Sequence, residues 1–276
     1  MSATDPVKVL EVEGQRLCYR DAGHGPILLF LHGWSLNSTY WANQIECLSR
    51  SYRVIAYDWR GMGCSGGGDK PFDFQALCNE ARAVIRALCD GQKPAIIGHS
   101  LGGNIALQLA IEDEEQFSAL VLVDSPLPHP VKEGLMLIGL KFFTERFSLK
   151  LLAVFAKREL WGVRFPYIHP ELMAYWKTQF CSNSVPALLN SLAAWAKRPN
   201  PIPHLDKIKV GSLLITGATD TLAGSDMHHL HHVWPSAQWN VIHNATHMSF
   251  VERPEDFNAI LTSFLAAHGL HESKRE

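Results

Sequence analysis

Short unbroken apolar runs alternate along this chain with longer stretches in which apolar side chains return every three or four positions. The runs fall at residues 27–31, 53–57, 95–97, 119–123, 213–216 and 239–242. A strand buried on both faces shows no polar alternation, so each run predicts a central strand. Residues 8–12 and 15–20 predict a hairpin closed by Glu13-Gly14. Helical stretches fall at 38–49, 74–89, 101–112, 226–233 and 254–267, the last opening on Pro254, whose missing N–H costs nothing in a first turn. Strands alternating with helices of this length require parallel pairing, with helices on both faces of one sheet. The expected class is α/β, a mostly parallel sheet of about eight strands flanked by helices.

One segment breaks the alternation. From Leu127 to about Leu205 the chain has no strand pattern, only helical stretches rich in Phe, Tyr and Trp, bounded by Pro126, Pro128 and Pro130 and by Pro199, Pro201 and Pro203. Proline clusters at both ends suit the hinges of an inserted helical cap. The expected organisation is therefore a core domain from residues 1–126 and 206–276, with a cap at 127–205. Most of the aromatic residues should pack the cap itself, and a minority should face a cavity.

Composition narrows the partners. A chain of 276 residues, 47% hydrophobic and 19% charged, is long enough for one large core plus an insertion. Its net charge of −2 leaves no overall electrostatic footprint for nucleic acid or an anionic membrane, so a small hydrophobic molecule is the expected partner. Residues 1–14 hold no apolar run of a secretory signal, and the apolar stretch 134–140 stops at Lys141, short of the roughly 20 residues a membrane span needs. A cytoplasmic enzyme is expected. Cys18, Cys47, Cys64, Cys78, Cys89 and Cys181 include no Cys-x-x-Cys pair, which predicts free thiols rather than a disulfide framework. Oligomeric state is not legible.

The chemistry centres on Gly98-His99-Ser100-Leu101-Gly102-Gly103. A strand runs straight into Gly98 and a good helix former follows Ser100, so Ser100 sits at a strand-turn-helix corner. Small neighbours let the backbone turn tightly there and expose Oγ at the carboxyl end of a central strand, where α/β sheets place ligands. The helix N-terminus adds favourable potential for a developing oxyanion.

These residues resemble the α/β-hydrolase family. The likeness extends to Leu31-His32-Gly33-Trp34-Ser35-Leu36-Asn37, to Asp58-Trp59-Arg60-Gly61-Met62-Gly63-Cys64-Ser65, to Gly217-Ala218-Thr219-Asp220 and to Asn244-Ala245-Thr246-His247. Within the family it is similar to lidded carboxylesterases, the branch that includes the pimeloyl-carrier-protein methyl ester esterases. The resemblance implies Ser100 as nucleophile and His247 as its base, since an imidazole with a pKa near 6.5 is matched to taking a hydroxyl proton at neutral pH. A carboxylate must orient that imidazole; Asp220 fits the family order Ser, Asp, His, and Asp124, at the end of residues 119–123, is the rival acid. The backbone N–H groups of Trp34 and Leu101 are the expected oxyanion hole.

Other polar residues have plainer readings. His32 and His99 are expected to hydrogen-bond neighbouring backbone, His243 to be a supporting or surface residue, and Arg60 and Asp58 to brace their loop. His228 and His232 lie one helical turn apart, a metal-ligand spacing, but with no third ligand a solvated face is the expectation. No cofactor and no metal is required by the implied chemistry. Three other functions share the pattern: carbon–carbon bond hydrolysis, lowered by Met248 after His247; a cofactor-free dioxygenase acting through a His-Asp dyad on a heteroaromatic ring; and a non-enzymatic small-molecule receptor. Epoxide hydrolases and haloalkane dehalogenases need Asp where this chain has Ser100.

Overall fold

The computed structural model describes residues 6–12 and 14–270. Eight strands form one sheet: β1 Lys8–Val12, β2 Gln15–Ala22, β3 Ile27–Leu31, β4 Arg53–Asp58, β5 Ala95–His99, β6 Ala119–Val123, β7 Ser212–Gly217 and β8 Gln238–Ile242. Their order is β1-β2-β4-β3-β5-β6-β7-β8. The hairpin β1–β2 is antiparallel and β2 pairs antiparallel with β4, while β3 to β8 are all parallel neighbours. Glu13, read as part of the hairpin turn, lies outside the described residues.

The unbroken apolar runs bury both faces. Leu29 and Leu31 of β3 and Leu120 and Leu122 of β6 pack on one side with helices α2 (Phe74–Leu88) and α3 (Leu101–Asp113). Leu28 and Phe30, with Val121 and Val123, pack on the other against α1 (Ala42–Leu48) and α11 (Pro254–Ala267). The period of two thus feeds two cores, and each such Leu, Val or Phe contributes roughly 1.5–3 kcal/mol of burial.

Between β6 and β7 the chain is wholly helical: α4 Pro130–Arg146, α5 Leu149–Trp161, α6 Phe165–Ile168, α7 Pro170–Ser182 and α8 Val185–Trp195, followed by a 3₁₀ turn at Ile202–Lys207. Trp161, Trp176 and Phe180 are fully buried, as expected for aromatics that pack the insertion's own core. The remaining helices, α9 Gly224–Val233 and α10 Ser249–Glu252, follow β7 and β8. Among the described residues no helix is long and apolar enough to cross a membrane.

Two expectations need correction. The stretch 38–49 is not one helix but a 3₁₀ turn, Ser38–Trp41, followed by α1, because the Asn37 side chain accepts from Thr39 N–H and sets a tight start. Cys18 and Cys64 are not free thiols; they form a disulfide 46 residues apart. The loop after β4 folds back onto β2, where Ser65 Oγ accepts from Cys18 N–H and Arg16 O accepts from Gly66 N–H. That return is a tertiary contact, and cysteine spacing carries no trace of it.

Candidate active site

Ser100 stands between β5 and α3 with φ of 53°, a left-handed conformation that ordinary residues avoid. Its N–H donates to Val123 O at 2.9 Å, which pins the corner to the neighbouring strand. The flanking glycines are required by contact: a Cβ on Gly98 would collide with the Gly102 carbonyl, and one on Gly102 with the Leu31 carbonyl. So strained a turn leaves Ser100 half-buried, with its side chain lining a cavity that His247 also lines.

His247 follows β8 and is 3% exposed. Its Nδ1–H donates to Asp220 Oδ2 at 3.0 Å, while Asp220 Oδ1 accepts from Leu222 N–H at 2.8 Å and Ala223 N–H at 3.2 Å. Burial penalises charge on all of these groups. For Asp220 the opposing His247 charge and these hydrogen bonds prevail and hold the carboxyl below its ordinary value. For His247 burial is likewise outweighed, by the Asp220 charge and hydrogen bond with Asp124 and Glu252 adding, so the imidazole lies above its ordinary value.

Asp124, the rival acid, makes other bonds. Its Oδ1 accepts from Thr216 Oγ–H and Gly217 N–H, and its Oδ2 from Ser249 Oγ–H. Complete burial, with the Asp220 charge nearby, pushes it well above the usual carboxylate range. The structure therefore brings His247 onto Asp220 and ties Asp124 into the junction of β6, β7 and α10.

The turn after β3 passes directly beside Ser100: a Cβ on Gly33 would lie 3.1 Å from Ser100 Cβ. Trp34 follows, and its indole N–H donates to Leu188 O of α8 at 3.1 Å. Leu101 heads α3, where a first-turn N–H has no acceptor within its own helix. Both residues line the cavity with Ser100 and His247. His32 and His99 bond backbone: Nδ1–H of His32 donates to Gly33 O and Nε2–H of His99 to His247 O, both at 2.8 Å. Burial lowers the His32 pKa to about 4 despite Asp58, and takes His99 well below its ordinary value, so both rings are neutral donors.

The helical insertion covers this site and is fastened to it. Asn37 Nδ2 donates to Gln179, Asn183 Nδ2 to Ser35 O, and Thr246 Oγ to Leu160 O at 2.9 Å. It supplies the apolar wall from Leu127, Met136, Leu160, Leu192 and Trp195, together with polar His129, Lys132 and Glu133. Trp195 is one of the cap aromatics of which a minority was expected to face a cavity; nothing in the sequence singled out the others, because each looks like ordinary helix core or surface. Glu252 was missed too: it accepts from Thr246 N–H at 3.2 Å beside His247, and burial raises its pKa to about 7 against those hydrogen bonds. A Glu five residues after the expected base is the only signal that could have found it.

The remaining readings resolve simply. His228, His232 and His243 are exposed, and no cluster of three metal-ligating side chains occurs among the described residues. Asp58 accepts from Ser38 N–H at 2.6 Å and Cys64 N–H at 3.1 Å, and Arg60 pairs with Glu80 of α2 at 2.9 Å.

Residues 28–260 match the model of the alpha/beta hydrolase family. Over 259 residues the chain is 27% identical to the pimeloyl-[acyl-carrier protein] methyl ester esterase of Aeromonas hydrophila, covering 88% of this chain and 96% of that protein. A more identical relative, a Mycobacterium tuberculosis protein at 36%, matches over only 114 residues, so the chain spans 33% of its length. The fold is similar to that of a thermophilic esterase from Thermogutta terrifontis, with a TM-score of 0.87 at 22% identity over 95% of this chain and 99% of that one.

Proposed function

The chain belongs to the alpha/beta hydrolase family, and on that premise we propose that this enzyme is a serine hydrolase cleaving carboxylic esters of a hydrophobic or aromatic small molecule through an acyl-enzyme. The observation that carries the reading is the left-handed Ser100 sharing an apolar cavity with a His247 whose far nitrogen is bonded to buried Asp220. The Asp220 bond places the proton on Nδ1, which leaves Nε2 free to act as base.

In the first step Ser100 Oγ forms a bond to the ester carbonyl carbon as Nε2 of His247 takes its proton. The carbonyl oxygen gains negative charge and is held by the N–H groups of Trp34 and Leu101. The C–O bond to the alcohol then breaks, and His247 returns the proton to the departing alkoxide. Water, deprotonated by His247, attacks the acyl-enzyme, and Ser100 leaves with its proton restored. Residues 127–205 act as a cap that excludes bulk water and shapes the acyl site. Because the imidazole bonds Asp220 rather than Asp124, the triad order supports ester hydrolysis over the dyad chemistry of a cofactor-free dioxygenase.

A fluorophosphonate probe tests this directly. One equivalent should attach to Ser100 and none to Ser100→Ala, and p-nitrophenyl esters of increasing chain length should map the acyl preference. A wild type that takes up no probe overturns the proposal.

A further inference from the structure

Protein surfaces normally scatter their exposed apolar side chains singly. Here every large exposed apolar side chain among the described residues, apart from Val7 and Val9, lies between residues 131 and 168. On α4, Val131, Leu135, Ile138 and Phe142 recur at helical spacing and are 79%, 65%, 68% and 56% exposed. They form one stripe. The opposite side of the same helix is also apolar, since Leu140 is buried and Phe143 is partly so. Apolar side chains thus lie on two sides of α4, one packed against the rest of the molecule and the other bare.

The stripe continues onto α5. Phe143 packs on Phe147 at 4.9 Å and on Phe155 at 5.9 Å between ring centres, and Phe147 and Phe155 are themselves exposed. Around it, the overall charge of −2 conceals a local surplus of the opposite sign. Exposed Lys132, Lys141, Arg146, Lys150 and Arg158 lie on α4 and α5 with Glu145 and Glu159 as the exposed acids of those two helices, because Glu133 is buried against Arg198. At its N-terminal end the patch reaches the cavity mouth: Lys132 and Met136 are both exposed and both line the cavity that holds Ser100.

We propose that this face of α4 and α5 docks on an anionic lipid surface. The apolar row enters the boundary between headgroups and acyl chains, and the basic residues meet the headgroups. Positive charge selects this occupant over a second copy of the chain, because a two-fold contact would set the basic row against itself. The continuity of the patch with the apolar cavity favours a surface that can deliver an amphiphile. This binding is independent of whether Ser100 acts on esters.

Co-sedimentation of the full chain with vesicles tests it. Phosphatidylcholine vesicles containing phosphatidylglycerol should bind at least tenfold more tightly than pure phosphatidylcholine, and rising salt should weaken the binding. The double variant Leu135→Ser with Phe142→Ser should lose at least tenfold in binding, and Lys141→Glu with Lys150→Glu should abolish the anionic preference, both with unchanged circular dichroism. Wild-type protein left in the supernatant overturns the proposal, as does a serine variant that binds like wild type. A dimer dissolved by the serine variant, without vesicle binding, assigns the face to a second copy; retention on polyglutamate alone assigns it to an acidic protein. Either also overturns it.

Discussion

Asp124 and Ser249 share a buried hydrogen bond of 2.5 Å, with Ser249 Oγ donating to Asp124 Oδ2. Together with the bonds from Thr216 and Gly217 it commits this carboxyl to holding the strand ends, while the imidazole of His247 bonds Asp220. Asp220→Asn should therefore lower kcat by about 10⁴-fold, the effect of leaving the base in the wrong tautomer. Asp124→Asn should keep kcat within about tenfold and lose about 1–3 kcal/mol of stability, the cost of disturbing a buried polar group. Ester turnover and urea unfolding of the two variants decide the ranking. The reverse order would give the acid role to Asp124.

The pH profile follows from the charges around His247. In the proposed mechanism only the neutral imidazole accepts the Ser100 proton, so kcat/KM should rise with pH as His247 deprotonates. Because Asp220, Asp124 and Glu252 outweigh burial and hold its pKa above the ordinary 6.5, the inflection should lie above that value. Glu252 itself titrates near 7, so its charge is present above that pH. Glu252→Gln should move the inflection down and leave the high-pH plateau in place. An inflection below 6.5 in the wild type would contradict the assignment.

What could be read from sequence divides along a physical line. The strands of the core and the Ser100 corner were legible because they rest on local patterns, an apolar run or a glycine that no side chain can replace. The hydrogen bond from His247 to Asp220 was foreseen only as one of two possibilities, since residues 27 positions apart meet only when β7 and β8 pair. Asp124 and Asp220 both follow strands and carry the same side chain; the difference lies in Thr216, Gly217 and Ser249, which no spacing connects to Asp124. The Cys18–Cys64 bridge was invisible for the same reason, since it arises from neighbours brought together by folding. The basic surplus on α4 and α5 lies in one stretch of chain, but net charge averages it away and only the fold shows Glu133 withdrawn onto Arg198.

The Cys18–Cys64 disulfide closes a stretch of 46 residues that includes β3, β4 and their connections. Cross-linking a loop of this size restricts the unfolded chain by an amount worth about 2–4 kcal/mol. Cys18→Ser with Cys64→Ser should lower the urea midpoint accordingly, and reductant should lower the wild type to the same midpoint. Ester turnover should persist, because Asp58 and Ser65 hold the loop by their own hydrogen bonds. Coincident midpoints for oxidised and reduced wild type would show that the bridge does not form.

Arg198 and Glu133 clasp the two ends of the helical insertion. The guanidinium donates to Glu133 Oε1 at 2.7 Å, to Trp195 O at 2.9 Å and to Pro126 O at 3.2 Å, and lies 4.0 Å over the Trp195 ring. With both side chains almost fully buried, removing one partner strands the other's charge, at a cost of about 3–5 kcal/mol. Arg198→Ala or Glu133→Ala alone should therefore destabilise by that amount, whereas Arg198→Met with Glu133→Leu should recover most of it, since two apolar side chains leave no charge to desolvate. Because Glu133 also lines the cavity, the double variant should keep kcat for short apolar esters and change KM as the wall loses its carboxylate. Urea unfolding of the three variants measures the first effect. A single variant costing less than about 1 kcal/mol would place the pair among exposed ion pairs, which contribute little.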